Sequence, residues 1–174
     1  MKFQTVRYRD ILALLSLALV IGCGGSSADL HGNLLPPGTP LPPLAAEGWL
    51  NGPGPTVEEL RGQVVVIDVW AFWCPPCRAA MPEMVAAYEK YHDRGVTFLG
   101  LTSEGTDTLS ETRGVVDSAT LSWPNGYGAG ATIQSLGVQA IPSVFVIGRD
   151  GRVVWNIDRP GSMQDAIESA LDKS

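Results

Sequence analysis

The run Val64-Val65-Val66-Ile67-Asp68-Val69-Trp70 is dense in β-branched residues and broken by a single polar side chain. It reads as a buried strand. From Arg78 to His92 the apolar positions change to helical spacing, with Met81, Met84, Val85 and Tyr88 on one stripe. A helix is expected from about Pro75 to Asp93, kinked at Pro82 and ended by Gly95. Val96 to Leu101 is a second apolar strand, so strand, helix and strand suggest a βαβ unit with a parallel sheet at this point. Trp49-Leu50 reads as a strand end running into a turn at Asn51-Gly52, and Thr56 to Leu60 as a short helix capped by Thr56 and Glu59. Beyond the second strand come a weaker helical stretch (106–119), a Gly/Asn/Pro-rich loop (122–130) and a short helix (131–136) ended by Gly137. Strands at 144–147 and 152–155 flank a hairpin signal at Asp150-Gly151, and an amphipathic helix over 162–171 opens with a Ser162/Asp165 capping box.

The N-terminal pattern is of another kind. Lys2, Arg7 and Arg9 precede an apolar run from Ile11 to Ile21. Crossing a bilayer takes about 20 residues, so this shorter run reads as a secretory signal over residues 1–22. Val20-Ile21-Gly22-Cys23 resembles a bacterial lipoprotein cleavage box, which implies that Cys23 becomes the lipidated first residue. Ordinary cleavage nearby, leaving a free thiol, is the alternative. Residues 23–43, rich in Gly, Ser and Pro, read as a tether in which His31 is solvated. Residues 44–174 are long enough for one domain with a single core. Signal removal takes the net charge from −6 to −8, since Lys2, Arg7, Arg9 and Asp10 are lost. Such an acidic surface argues against nucleic-acid binding and against a polybasic membrane patch.

Two of the three cysteines, Cys74 and Cys77, lie in Trp73-Cys74-Pro75-Pro76-Cys77, between the first strand and its helix. A helix start offers unpaired N–H groups and the positive end of the dipole, which favours a thiolate. Pro75 and Pro76 are tolerated there because the missing N–H groups had no partner. Cys74, the more N-terminal thiol and expected nearest solvent, is the candidate nucleophile, with Cys77 one turn inside. Zinc needs four ligands, and the chain offers only His31 and His92 besides these cysteines, while haem attachment needs a His where Arg78 stands. No metal and no cofactor is expected. A static disulfide stays open, although so short a loop removes little unfolded-state entropy. Asp68, six positions before Cys74 on a strand expected to be buried, should have a raised pKa. A structural hydrogen-bonding role is its alternative.

The chain resembles thioredoxin-like proteins of the membrane-attached, extracytoplasmic TlpA/ResA type. The matching residues are Asp68 to Arg78, Met81-Pro82-Glu83, Tyr127, Leu136 to Ser143 and Asp150 to Val154, within a span from about Leu41 to Leu171. The resemblance implies an α/β thioredoxin fold, a central mixed β-sheet flanked by helices. It implies a redox disulfide between Cys74 and Cys77, proton exchange between Asp68 and Cys77, and a cis bond at Ile141-Pro142 facing the disulfide. Trp73, Pro75, Pro76, Ile141 and Pro142 would then bind substrate, with Ile141 pairing its backbone to an extended segment. Many such chains carry a Glu three residues after the second Cys; here Ala80 stands there.

The expected function is exchange of a dithiol and a disulfide with protein substrates, by a monomer lipid-anchored to a bacterial membrane with its domain in the periplasm or extracytoplasmic space. By the resemblance it acts as a reductant, for example in cytochrome c maturation, and is kept reduced by a transmembrane electron donor. A peroxiredoxin-like peroxidase is one alternative, but the Cys context lacks the accompanying Thr. A copper-handling protein would need a longer Cys spacing and a distal His. An anchored binding module with an inert disulfide is the non-enzymatic alternative.

Overall fold

The structure, a computed structural model, describes residue 31 and residues 33–173. The expected signal (1–22), Cys23 and the first part of the tether lie outside the described residues. In chain order the elements are β1 (Gly48–Leu50), β2 (Val64–Val69), α1 (Pro75–Tyr91), β3 (Val96–Leu101), α2 (Leu109–Ser118), β4 (Asn125–Tyr127), α3 (Gly130–Ser135), β5 (Ser143–Ile147), β6 (Val153–Asn156) and α4 (Met163–Leu171). The strands form one mixed sheet in the order β1-β4-β3-β2-β5-β6. β2 pairs parallel with β3 and antiparallel with β5.

That central place explains the near-continuous apolar run of β2, since all six of its residues are buried. Alternate side chains serve opposite faces. Val64 and Val66 join a cluster with Met81, Met84 and Tyr91 of α1 and Ile167 of α4. Val65, Ile67 and Val69 join a second cluster with Leu99, Phe145 and Leu136 on the other face. Asp68, in step with Val64 and Val66, therefore belongs to the α1/α4 face.

Helix α1 runs unbroken through Pro82 and gives way to a 3-10 turn at His92–Arg94, closed by left-handed Gly95. The capping box of α4 forms as its sequence implies, with Ser162 and Asp165 bonded reciprocally. Three local expectations need correction. Thr56 and Glu59 do bond reciprocally, but only one turn follows and no helix forms. Residues 106–108 are 3-10, so α2 begins at Leu109. The loop over 122–130 contains β4, a strand made of Asn125, Gly126 and Tyr127. Its polar residues are accepted because buried Asn125 bonds both the Trp70 indole and the Trp123 carbonyl.

The largest correction concerns the tether. From Leu34 onward it is part of the packed unit, with Leu34 and Leu41 buried in the second cluster. The Gly38 amide donates to the Val153 carbonyl, the Val153 amide to the Thr39 carbonyl, and the Leu41 amide to the Gly151 carbonyl. This strap thus runs along β6, and the Gly/Pro composition that suggests a linker reflects tight turns against a strand edge. Gly137 (φ +76°) gives it room, since a Cβ there would lie 1.9 Å from the Asn33 carbonyl oxygen. His31 is held rather than solvated. Its Nδ1 bonds Asp158 Oδ1 and its carbonyl accepts from the Gln139 and Ala140 amides.

Candidate active site

Cys74 is the N-cap of α1, in extended conformation, and is joined to Cys77 by a disulfide. Pro75 and Pro76 fill the first two helical positions and carry no N–H. The first amide the helix can offer is therefore that of Cys77, and it donates to Cys74 Sγ at 3.2 Å. The next, from Arg78, is already bonded to the Cys74 carbonyl. One donor, aimed at one sulfur, is what this helix mouth provides. In the reduced protein it favours the Cys74 thiolate.

The expected difference in solvent access does not appear. Cys74 is 2 % exposed and Cys77 3 %, so both sulfurs of the closed bridge are covered. What separates them is place: Cys74 precedes the helix, whereas Cys77 lies inside its first turn and within the core. Ile141-Pro142 is cis, and the Ile141 carbonyl oxygen lies 3.9 Å from Cys74 Sγ. A disulfide sulfur has no proton to donate, so in this state the approach is a nonbonded contact.

Trp73 is 59 % exposed, the one large hydrophobic side chain among the described residues that stands out in solvent. It is not loose, because its indole N–H donates to Glu104 Oε1 at 2.8 Å. Glu104 is in turn bonded by the Thr102 and Ser103 hydroxyls, just beyond β3. Sequence reasoning misses Glu104. A lone acid in a loop gives no signal of its own, and only the sheet order brings it to the strand–helix junction. Trp70 is buried and Phe72 half-buried, both packed in the core.

Asp68 is buried between β3 and β5, opposite Gly100 and Val144. Burial pushes its carboxyl up from 3.8 to about 7. It lines a cleft of about 280 Å³ together with Ala80, Glu83, Pro142, Trp155 and Met163. Gln164 of α4 bridges to Glu83 of α1 beside it. Ala80 lies one turn beyond Cys77, and its small side chain leaves that space open. The structure thus gathers Asp68, Cys74, Cys77, Ile141 and Pro142 at one end of the sheet, with Trp73, Pro75 and Pro76 exposed around the bridge. Arg78 and the solvent-facing residues of α1 point away from the core.

The chain is similar to several known proteins. Residues 36–171 match the protein family described as Redoxin. The chain is 33% identical over 109 residues to the thiol-disulfide oxidoreductase ResA of Bacillus thuringiensis (strain Al Hakam), covering 62% of this chain and 62% of that protein. It is 31% identical over 125 residues to ResA of Bacillus thuringiensis subsp. konkukian (strain 97-27), covering 71% and 70% respectively. Among solved structures it is similar to a thiol:disulfide interchange protein of the thioredoxin family from Chlorobium tepidum TLS. That likeness has a TM-score of 0.64 at 26% identity, covering 78% of this chain and 97% of the other.

Proposed function

The chain belongs to the Redoxin family, and from that premise we propose that it is a thiol-disulfide oxidoreductase working through Cys74 and Cys77. The observation that carries the proposal is the single free amide of the helix mouth donating to Cys74 Sγ at 3.2 Å, with the Ile141 carbonyl oxygen 3.9 Å from the same sulfur. In the reduced protein the Cys74 thiolate attacks a substrate disulfide, forming a mixed disulfide and releasing the first substrate thiolate. Cys77 then gives up its proton and attacks Cys74 Sγ, which re-forms the bridge and releases the second. Two electrons and two protons pass to the substrate. Asp68 serves as the base for Cys77, because a carboxyl with a pKa near 7 exchanges protons readily at neutral pH. The substrate strand lies along Ile141-Pro142 and against Trp73, Pro75 and Pro76.

The finer proposal is an exported protein anchored by lipid on Cys23, with its domain in the periplasm or extracytoplasmic space. It acts as a reductant of particular protein disulfides, such as those of apocytochrome c, and is reset by a transmembrane electron donor. Insulin reduction with a supplied thiol tests the activity. The wild-type chain turns over, Cys74→Ser does not, and Cys77→Ser accumulates mixed disulfides on Cys74. Wild-type turnover no faster than that of Cys74→Ser would leave only an inert bridge. Cys23→Ser should release the protein from membranes, and its retention there would remove the lipid anchor from the account.

A further inference from the structure

The strap changes where the anchored end of the chain leaves the domain. Were residues 23–43 a free tether, the chain from Cys23 to residue 44 could span about 75 Å, and the domain could take any attitude to a bilayer. Instead the first described contacts are made by His31. Its carbonyl accepts from the Gln139 and Ala140 amides, and its ring bonds Asp158 just after β6. Gln139 is two residues from Ile141, whose carbonyl faces Cys74 Sγ. The start of β5 and the end of β6, like the end of β2, lie at the dithiol end of the sheet, since β5 is antiparallel to both neighbours. From His31 the strap runs to the far end, reaching the β5–β6 turn where the Leu41 amide meets the Gly151 carbonyl. The chain therefore enters the domain beside the dithiol, not opposite it.

Eight peptide steps separate Cys23 from His31, at most about 30 Å fully extended. A domain of this size is about 37 Å across, taking the usual scaling of radius with length. The leash is shorter than the domain is wide. With its far end on the bilayer, the domain would hold His31 beyond the reach of a lipid on Cys23. We infer that the His31–Pro43 strap fixes the dithiol end toward the membrane, so that the face carrying Cys74 and Cys77 meets its exchange partners at the bilayer surface rather than in bulk solvent. This rests on Cys23 carrying the lipid.

The test uses the full lipidated chain in vesicles whose headgroups carry an energy acceptor. A donor dye is placed on Cys74 in Cys77→Ser, or at the far end on Arg61→Cys in a chain with both Cys74 and Cys77 changed to Ser. Transfer from Cys74 should exceed that from position 61 by about two-fold or more, because the two lie at opposite ends of the domain. A Gly/Ser insertion of about 20 residues after Ser27 should bring the two values together, as the longer leash frees the domain's attitude. Equal transfer from the two positions in the unextended chain, or a difference that survives the insertion, overturns the strap's role. Mass measurement of the N-terminal peptide is read separately. Cys23 without lipid removes the anchor and this inference with it, whereas lipidated Cys23 with equal transfer removes the inference alone.

Discussion

On its inner side the Cys74–Cys77 bridge adjoins a strand buried along its whole length, from which Asp68 faces a cleft between α1 and α4. On its outer side it meets an exposed indole tied to a loop carboxylate and a backbone carbonyl left facing the sulfur. The inner flank is held by burial, so its buried carboxyl, Asp68, has its titration displaced and the fold is strained by its charge. The outer flank is held by a few hydrogen bonds at the surface, where little stability is at stake. Changes inside should therefore move proton transfer and stability together. Changes outside should move substrate affinity alone.

The sharpest probe crosses from one flank to the other. Cys77→Ser leaves the outer flank whole but removes the sulfur that resolves the mixed disulfide. Insulin reduction should fall by on the order of a thousand-fold or more, while covalent capture through Cys74 persists. Loss of capture as well would mean that the outer flank cannot act without the inner one.

Asp68→Asn tests the inner flank by pH. The carboxyl titrates near 4 when unfolded and near 7 when folded, so between those values the folded chain binds more protons and stability falls as pH rises. Above pH 7 the cost reaches about 4 kcal/mol at most, since each pH step of one between the two values contributes about 1.4 kcal/mol. Asp68→Asn should then be more stable than wild type at pH 8, with the gain vanishing below about pH 4. Its turnover near neutrality should drop roughly 10- to 100-fold for want of the base. Denaturation at several pH values reads the first effect, and a gain that ignores pH would show that burial does not displace this group.

Trp73→Ala tests the outer flank. We expect KM for a protein substrate to rise about ten-fold, or about 1.4 kcal/mol, with melting temperature nearly unchanged. A large fall in melting temperature would place Trp73 with the interior instead. The smallest effect is expected from Glu104→Gln, which keeps an acceptor for the indole but removes its charge. KM should shift by about two- to three-fold, within the range of a weakened surface hydrogen bond, and indole fluorescence should report the altered partner.

The inner flank is largely legible in the sequence and the outer flank is not. A run of Val and Ile broken by Asp68 advertises a buried acid, and a Cys pair before a helix advertises its own geometry, because these signals are local. Ile141-Pro142 is reached only through family resemblance, since spacing along the chain says nothing of what faces a sulfur 67 residues away. Glu104 gives no sign, being brought to Trp73 only by the placement of β3 beside β2. The strap misleads for a related reason. Gly and Pro are common to free linkers and to chains laid tightly along a strand edge, and composition does not distinguish them until the edge is known. β4 is hidden because its three residues are Asn, Gly and Tyr, which pair as a strand under tertiary constraint rather than by propensity.

The paired prolines at the mouth of α1 have a consequence for the direction of electron flow. Each would-be amide they replace is one that cannot solvate a sulfur anion, so the reduced pair is left with Cys77's N–H and little else from the backbone. The less comfort a protein gives its thiolate, the more readily it parts with the electrons held there. That is the property the reductant proposed above requires.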